Sequence, residues 1–501
     1  MPDPKSNAYK KIIKATSLFG GVQIFNLVIS IIRSKFLAIL IGPSGYGLYG
    51  LLNSTIELVR QASGFSIETS GVKQISEANA NNNKELITER AATLIRLSLI
   101  TGLIGVVLAI IFSHFLSILT FGDTSGILAI ILISVSILFK QLFASQTAVM
   151  QGLSKLGYLA KTNLYSNLFG LILTLPLYFF FKVDAIVPSI IISSLISLLV
   201  SGFYYKKLQL PRQEIKLIDT LKKGKEVLLF GGLLAISSFL PALSNYLLQI
   251  FIGYEGNLTQ VGLFNTGLII INTYIGIIFI AMSTEYYPRL AAMSKDSTKE
   301  AEAVESQAII SMLIVIPVMV FVLGFSSFII RLLFSSKFLD IMPMISWAMV
   351  GMFFKSVSFS MGYVIIARAD SRVFTKTAVI FNCIYLIFCV VGYHFMGLEG
   401  VGIGTMLYFL IHLAGVHLII RFRYGIRLTK VFSVIFLVGI VFTLVSMTLY
   451  QIYTGYYKPY IFLAIFTLSL LFSLKEIDKR VPIQSTIREY LNKRKNGSKS
   501  S

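Results

Sequence analysis

Charge is what this chain has least of, and acid least of all. Lys and Arg number 44 and Asp and Glu only 23 among 501 residues, so charged side chains make up 13%, where an ordinary soluble domain carries roughly 25%. A sequence so poor in charge cannot cover a globular surface, which excludes a soluble enzyme or binding module. Cysteine is nearly absent: Cys383 and Cys389 stand six apart in one apolar stretch, on different faces of a helix, without metal or redox spacing. Histidine is as scarce, and His394, His412 and His417 are scattered over late apolar stretches with no ligand spacing. No Gly-rich loop of the P-loop pattern occurs, so energy is expected from a proton or sodium gradient or from consumption of product. The first fourteen residues are polar and basic, with no short apolar core and small-residue cleavage site, and they read as a cytoplasmic tail rather than a removable signal.

What fills the chain instead is hydrocarbon, 55% of residues, in runs of about 18 to 26, which meets the roughly 20 residues needed to cross a bilayer as a helix. Alternating ten-residue strands are missing, which excludes a β-barrel. The runs predict an all-α integral membrane protein of about fourteen spans. The tails and even-numbered loops hold 34 of the 44 Lys and Arg, Lys376 at a span margin included, while the odd-numbered loops hold only Lys182, Arg331, Lys337 and Lys458. Positive residues stay inside, so both termini are placed in the cytoplasm. The net charge of +21 is thus a topological signal and implies no nucleic-acid partner.

Shifted by 215 residues, the sequence aligns Phe139-Lys140 with Phe354-Lys355, Lys161-Thr162 with Lys376-Thr377, Asn167 with Asn382, and Asp184 with Glu399. Near the start, Phe19-Gly20-Gly21 and Gly42 match Phe230-Gly231-Gly232 and Gly253 at an offset of 211, and by Gly47 and Gly262 the offset is again 215. Rare polar residues recurring at one offset predict a duplication. Six helices per copy make the copies parallel, two pseudo-twofold-related lobes of the kind that rock about a central site. The expected organisation is a tail (1–14), an N-lobe of six helices (15–205), a basic cytoplasmic linker (206–225), a C-lobe of six (226–420), two further helices (421–474) and a basic tail (475–501).

A charge near mid-membrane costs roughly 2.5–3.5 kcal/mol on insertion scales and therefore marks a partner or a watery cavity. Cations dominate here: Arg33, Lys35, Arg60, Lys140 and Lys355 against Glu57, Glu68 and Glu285. That balance suits an anionic ligand. Lys35 is near enough to a span end to snorkel. Arg33 also has Glu57 and Glu68 as available partners, and Glu68 and Glu285, after helices 2 and 8, are expected to act as gate or coupling contacts with Lys73 and Arg289. Lys140 and Lys355 occupy matching places in the two copies.

Three segments carry a family resemblance: residues 33–50 (RSKFLAILIGPSGYGLYG), residues 150–155 (MQGLSK) and residues 285–290 (EYYPRL). They resemble polysaccharide flippases of the multidrug/oligosaccharidyl-lipid/polysaccharide (MOP) exporter superfamily, and most of all the Wzx-type O-antigen translocases. The resemblance implies a V-shaped two-lobed carrier in a bacterial inner membrane. It implies as substrate an undecaprenyl-diphosphate-linked oligosaccharide flipped to the outer leaflet by alternating access, with membrane lipids, a polymerase and other glycan-assembly proteins as partners. Lipid II flippases of that superfamily carry arginines matching Arg33 and Arg60, but helices 7 and 8 here hold no Lys or Arg, leaving Lys355 as the main second-lobe cation. Arg33, Arg60, Lys140 and Lys355 are expected to line one cavity and bind the diphosphate. Two rivals fit less well. A multidrug antiporter needs acids deep in a lobe, where helix 1 offers Arg and Lys. A membrane enzyme on lipid-linked glycans needs a large outer loop with paired carboxylates, a nucleophile or metal ligands, and no outer loop supplies them.

Overall fold

A computed structural model describes residues 25–211, 217–293 and 296–480. The two expected tails (1–14 and most of 475–501) and the middle of the basic linker lie outside the described residues. Every described regular element is helical. Helix α1 covers residues 25–40; it is followed by α2 (Gly42–Gly64), α3 (Ile67–Ala80), α4 (Lys84–Ile111), α5 (Ser113–Phe121), α6 (Ile127–Gly152), α7 (Leu156–Phe181), α8 (Ile186–Lys206) and α9 (Leu217–Glu255). Then come α10 (Leu258–Leu268), α11 (Ile277–Met293), α12 (Ser297–Leu333), α13 (Met342–Ala367), α14 (Ser371–Arg423), α15 (Lys430–Ile452) and α16 (Lys458–Asp478).

Ten described stretches are long and apolar enough to cross a membrane. Two of them, Leu156–Lys206 and Ser371–Arg423, double back, the first at a short 3-10 turn, Lys182–Ala185, and the second at Gly397. Gly397 has φ 57° and ψ −140°, a conformation essentially restricted to glycine. With α1 and the polar α2, the described residues of all fourteen expected spans fall on helices, residues 15–24 of the first lying outside them. The chain is a multi-pass membrane protein.

Several spans are not single rods; α12, for one, kinks at Phe325, with φ −117° and ψ 17°. α2 ends because Phe65 and Ser66 are both left-handed, with φ of 49° and 43°, so the expected span at 47–70 breaks and α3 leaves in a new direction carrying Glu68. The eighth span is interrupted between α10 and α11 by a π-helical turn, Ile269–Ile275, a distortion often found at functional places.

The residues form two compact units. One comprises the chain up to Thr266 together with Leu332–Phe338; the other comprises Gly267–Arg331 and the chain from Leu339 onward. This packing boundary differs from the linker at 206–225 expected from the repeat, because α9 packs on α2, α3 and α4 and so joins the first unit. Inside the first unit, close approach replaces the hydrophobic effect as the organising force, as in membrane bundles generally. A Cβ on Gly47 would stand 2.0 Å from Leu258 O, and one on Gly262 would stand 1.8 Å from Pro43 O. In the second unit α12 and α13 carry the most buried faces, with Met312, Ile316, Met319, Met349, Phe353 and Val357 at most 1% exposed. α15 covers α13 where Gly439 meets the Phe353 ring, and α16 covers α12 where Gly324 meets Phe462.

Candidate functional site

Within the first unit, α1, α2, α6, α7 and α8 enclose a cavity of about 280 Å³. Arg33 enters from α1 and Lys140 from α6; Tyr49 and Asn53 come from α2, Tyr178 from α7, and Ser189, Ser193 and Ser197 from one stripe of α8. Among the described residues no carboxylate lines it. Arg33 donates from Nη2 to Asn167 O at 3.2 Å, while its Nε is buried without a hydrogen-bond partner among the described residues. Lys140 Nζ donates to Asn53 Oδ1 at 3.4 Å. Two cations thus face a hydroxyl-lined space with donor capacity unused, a lining whose chemistry suits an anion.

Arg60 does not line this cavity. Its Nη2 lies 2.7 Å from Glu57 Oε1 and its Nη1 3.3 Å from Glu68 Oε1, and Nη1 also donates to Gln141 Oε1 at 3.2 Å. Arg60, expected to bind the same ligand as Arg33, thus has two carboxylates on its guanidinium fork. Glu68 correspondingly meets Arg60 rather than Lys73, whose ammonium is 4.0 Å from Glu77. Glu285 does pair with Arg289, at 3.0 Å, but within one helix and with Glu285 68% exposed, a contact worth under roughly 1 kcal/mol. Lys35 is half-buried and is not among the cavity-lining residues.

Lys355 lies in a second cavity, of about 360 Å³, inside the second unit between α13 and α14. Within its own unit it lines a cavity of its own, as Arg33 and Lys140 line theirs. The two cavities occupy matching places in the two sequence copies. At the 215-residue offset, Lys140 corresponds to Lys355, and Ser193, Ser194 and Ser197 correspond to Tyr408, Phe409 and His412, all of them cavity-lining. The α8 hydroxyls were missed in the sequence, although Ser189, Ser193 and Ser197 recur at i, i+4 and i+8 in an otherwise apolar helix, the spacing of one helical face. Among the described residues no cluster of His, Cys, Asp or Glu could hold a metal ion, and His394, His412 and His417 do not converge.

The model of a family described as polysaccharide biosynthesis protein matches residues 36–343, more than half of the chain. The chain belongs to that family. The matched stretch of this polysaccharide biosynthesis protein contains Arg60 and Lys140; it begins three residues after Arg33 and ends before Lys355. Comparison with curated proteins gives no match. Among solved structures, the lipid II flippase MurJ in an inward closed conformation superposes with a TM-score of 0.72 at 15% identity, covering 93% of this chain and 99% of that one. The eukaryotic MATE transporter AtDTX14 gives 0.62 at 15% identity, covering 88% and 99%. An inward-facing multidrug resistance MATE transporter of the MOP superfamily gives 0.61 at 13%, covering 86% and 96%. This polysaccharide biosynthesis protein shares the fold of those transporters.

Proposed function

We propose that this polysaccharide biosynthesis protein is a lipid-linked oligosaccharide flippase, of the Wzx O-antigen type, that carries an undecaprenyl-diphosphate-linked glycan from the cytoplasmic to the outer leaflet by alternating access. The inner membrane of a bacterium, with both termini cytoplasmic and a polymerase among its neighbours, is the setting this reading requires. The observation that carries it is the acid-free cavity holding Arg33 and Lys140. A diphosphate brings about two negative charges and many acceptor oxygens. The Arg33 fork and the Lys140 ammonium neutralise those charges, and the Tyr49, Tyr178 and α8 hydroxyls supply neutral donors around them. Two like charges across one small space repel at low effective dielectric, and an anion between them relieves that cost. An organic-cation antiporter fits poorly, because Glu57 and Glu68, the carboxylates that the sequence places inside the spans of this unit, are held on Arg60.

The test is leaflet translocation of a fluorescent, short-chain diphosphate-linked glycolipid in proteoliposomes. A charge-assisted contact contributes about 1.5–3 kcal/mol, so Arg33→Ala and Lys140→Ala should each slow flipping roughly 10- to 100-fold. Arg33→Lys should recover only part, lacking the bidentate fork. Wild-type rates in both Ala variants, or transport of an organic cation in place of the glycolipid, would overturn the proposal.

A further inference from the structure

The cavity of the second unit has the same position in its repeat as the first but a different lining. Where α8 presents Ser193, Ser194 and Ser197, α14 presents Tyr408, Phe409 and His412, and Phe381 and Asn382 close the wall. The Lys355 ammonium stands 5.2 Å from the Phe279 ring centroid and 5.3 Å from that of Phe409, so its described contacts are aromatic faces and not carboxylates. His412 packs edge-on against Phe381 at 4.5 Å between ring centroids, and its Nδ1 is buried without a hydrogen-bond partner among the described residues. Asn382 uses its amide N–H on Ala378 O at 2.7 Å, which leaves its carbonyl oxygen as an acceptor.

These groups discriminate among occupants. An isoprenoid chain would bury an ammonium and an unpaired imidazole nitrogen against hydrocarbon, which is unfavourable on both counts. A diphosphate would find one ammonium, no guanidinium fork and mostly apolar walls. A sugar ring answers every feature: its C–H face, edged with slightly positive hydrogens, stacks on the negative faces of aromatic rings, and its hydroxyls meet Asn382 and His412. The volume lies at the small end of the roughly 300–1,000 Å³ of ligand pockets. We infer that this cavity is a glycan subsite that takes one sugar ring and favours a ring bearing a carboxylate, with the acid on Lys355 and the ring stacked on the aromatic wall. The inference rests on the glycan-carrier reading for its ligand class.

Binding tests it separately from transport. The protein has one tryptophan, Trp347, on α13 two turns before Lys355, its indole N–H donating to Glu399 Oε1 at 3.0 Å. Its fluorescence, with saturation-transfer NMR on the ligand, follows titration of the full chain in nanodiscs with glucuronate, glucose, inorganic pyrophosphate and geraniol. Glucuronate should bind about tenfold more tightly than glucose. Lys355→Gln should bring the two within about twofold while keeping the wild-type thermal midpoint, Lys355→Arg should keep the preference, and Arg33→Ala should change neither affinity. Equal or absent binding of the two sugars, or displacement of glucuronate by pyrophosphate or geraniol at equal concentration, overturns the subsite. A flipping defect that fails to appear in Arg33→Ala, with the glucuronate preference intact, would instead remove the transport proposal and leave this site standing.

Discussion

Arg33 and Arg60 are the same residue type on consecutive helices, and their neighbours give them different work. Arg33 keeps donor capacity facing a cavity, whereas Arg60 is held by Glu57, Glu68 and Gln141. Breaking a buried pair from one side leaves uncompensated charge, at a cost of about 3–5 kcal/mol. Here Glu57 is 36% exposed and Glu68 26%, so Arg60→Ala should lower stability by less, about 2–3 kcal/mol. Adding Glu57→Gln and Glu68→Gln should recover most of that loss, read as the thermal midpoint from Trp347 fluorescence. An unchanged midpoint with lost flipping would return Arg60 to the ligand. The cost of a mid-membrane charge made Arg33, Lys140 and Lys355 visible in the sequence. What hid the fate of Arg60 was the break at Phe65 and Ser66: neither is Gly or Asn, the residues that ordinarily announce a left-handed backbone, yet with φ of 49° and 43° they swing Glu68 back onto Arg60.

Among the elements, the α14 hairpin has its first and last residues tied together by a carboxylate. Asp370 caps α14 by accepting from Val373 N at 3.2 Å, and it also accepts from Arg423 Nε at 2.8 Å and from Tyr424 Oη at 3.0 Å, so it ties the first residues of the hairpin to the last. Burial pushes its carboxyl up, but the bonds from Val373, Arg423 and Tyr424 outweigh that and hold it below its ordinary value. A carboxylate with a depressed folded value stabilises above its unfolded value, and that contribution disappears as pH falls through the folded one. Asp370→Asn should therefore be less stable than wild type at pH 7, and the gap should close below about pH 4. A gap independent of pH would show that the carboxylate charge does not matter there. Spans such as α12 and α15 were legible from apolar run length alone. The π turn at Ile269–Ile275 was not, since its sequence is as apolar as the helices on either side and the register change is imposed by packing.

At the scale of the molecule, the duplication read from scattered polar residues has a physical counterpart where α2 meets α10. Gly47 approaches Leu258 O, and Gly262 approaches Pro43 O; both pairings exchange residues 215 apart, and Gly50 against Asn265 is another such pair. Reciprocal contacts between equivalent residues are what a twofold axis between two helices requires, so the first unit contains the seam where the copies join. The sequence showed the repeat but not this seam, because matching glycines say nothing of which backbone they approach. A methyl group at either glycine would fall within 2.0 Å of a carbonyl oxygen, and neither backbone can retreat without parting the helices. The two positions should therefore be equally intolerant: Gly47→Ala and Gly262→Ala should each lower stability by at least the roughly 1–3 kcal/mol of an overpacked core, with similar losses of thermal midpoint and of flipping. Gly253→Ala is the control, since its Cβ would meet only Val261 Cγ2 at 3.4 Å, an ordinary contact, and alanine favours the helix by roughly 1 kcal/mol. If Gly47→Ala and Gly262→Ala differ widely, or both behave like Gly253→Ala, the seam is not the shared constraint that the reciprocal geometry implies.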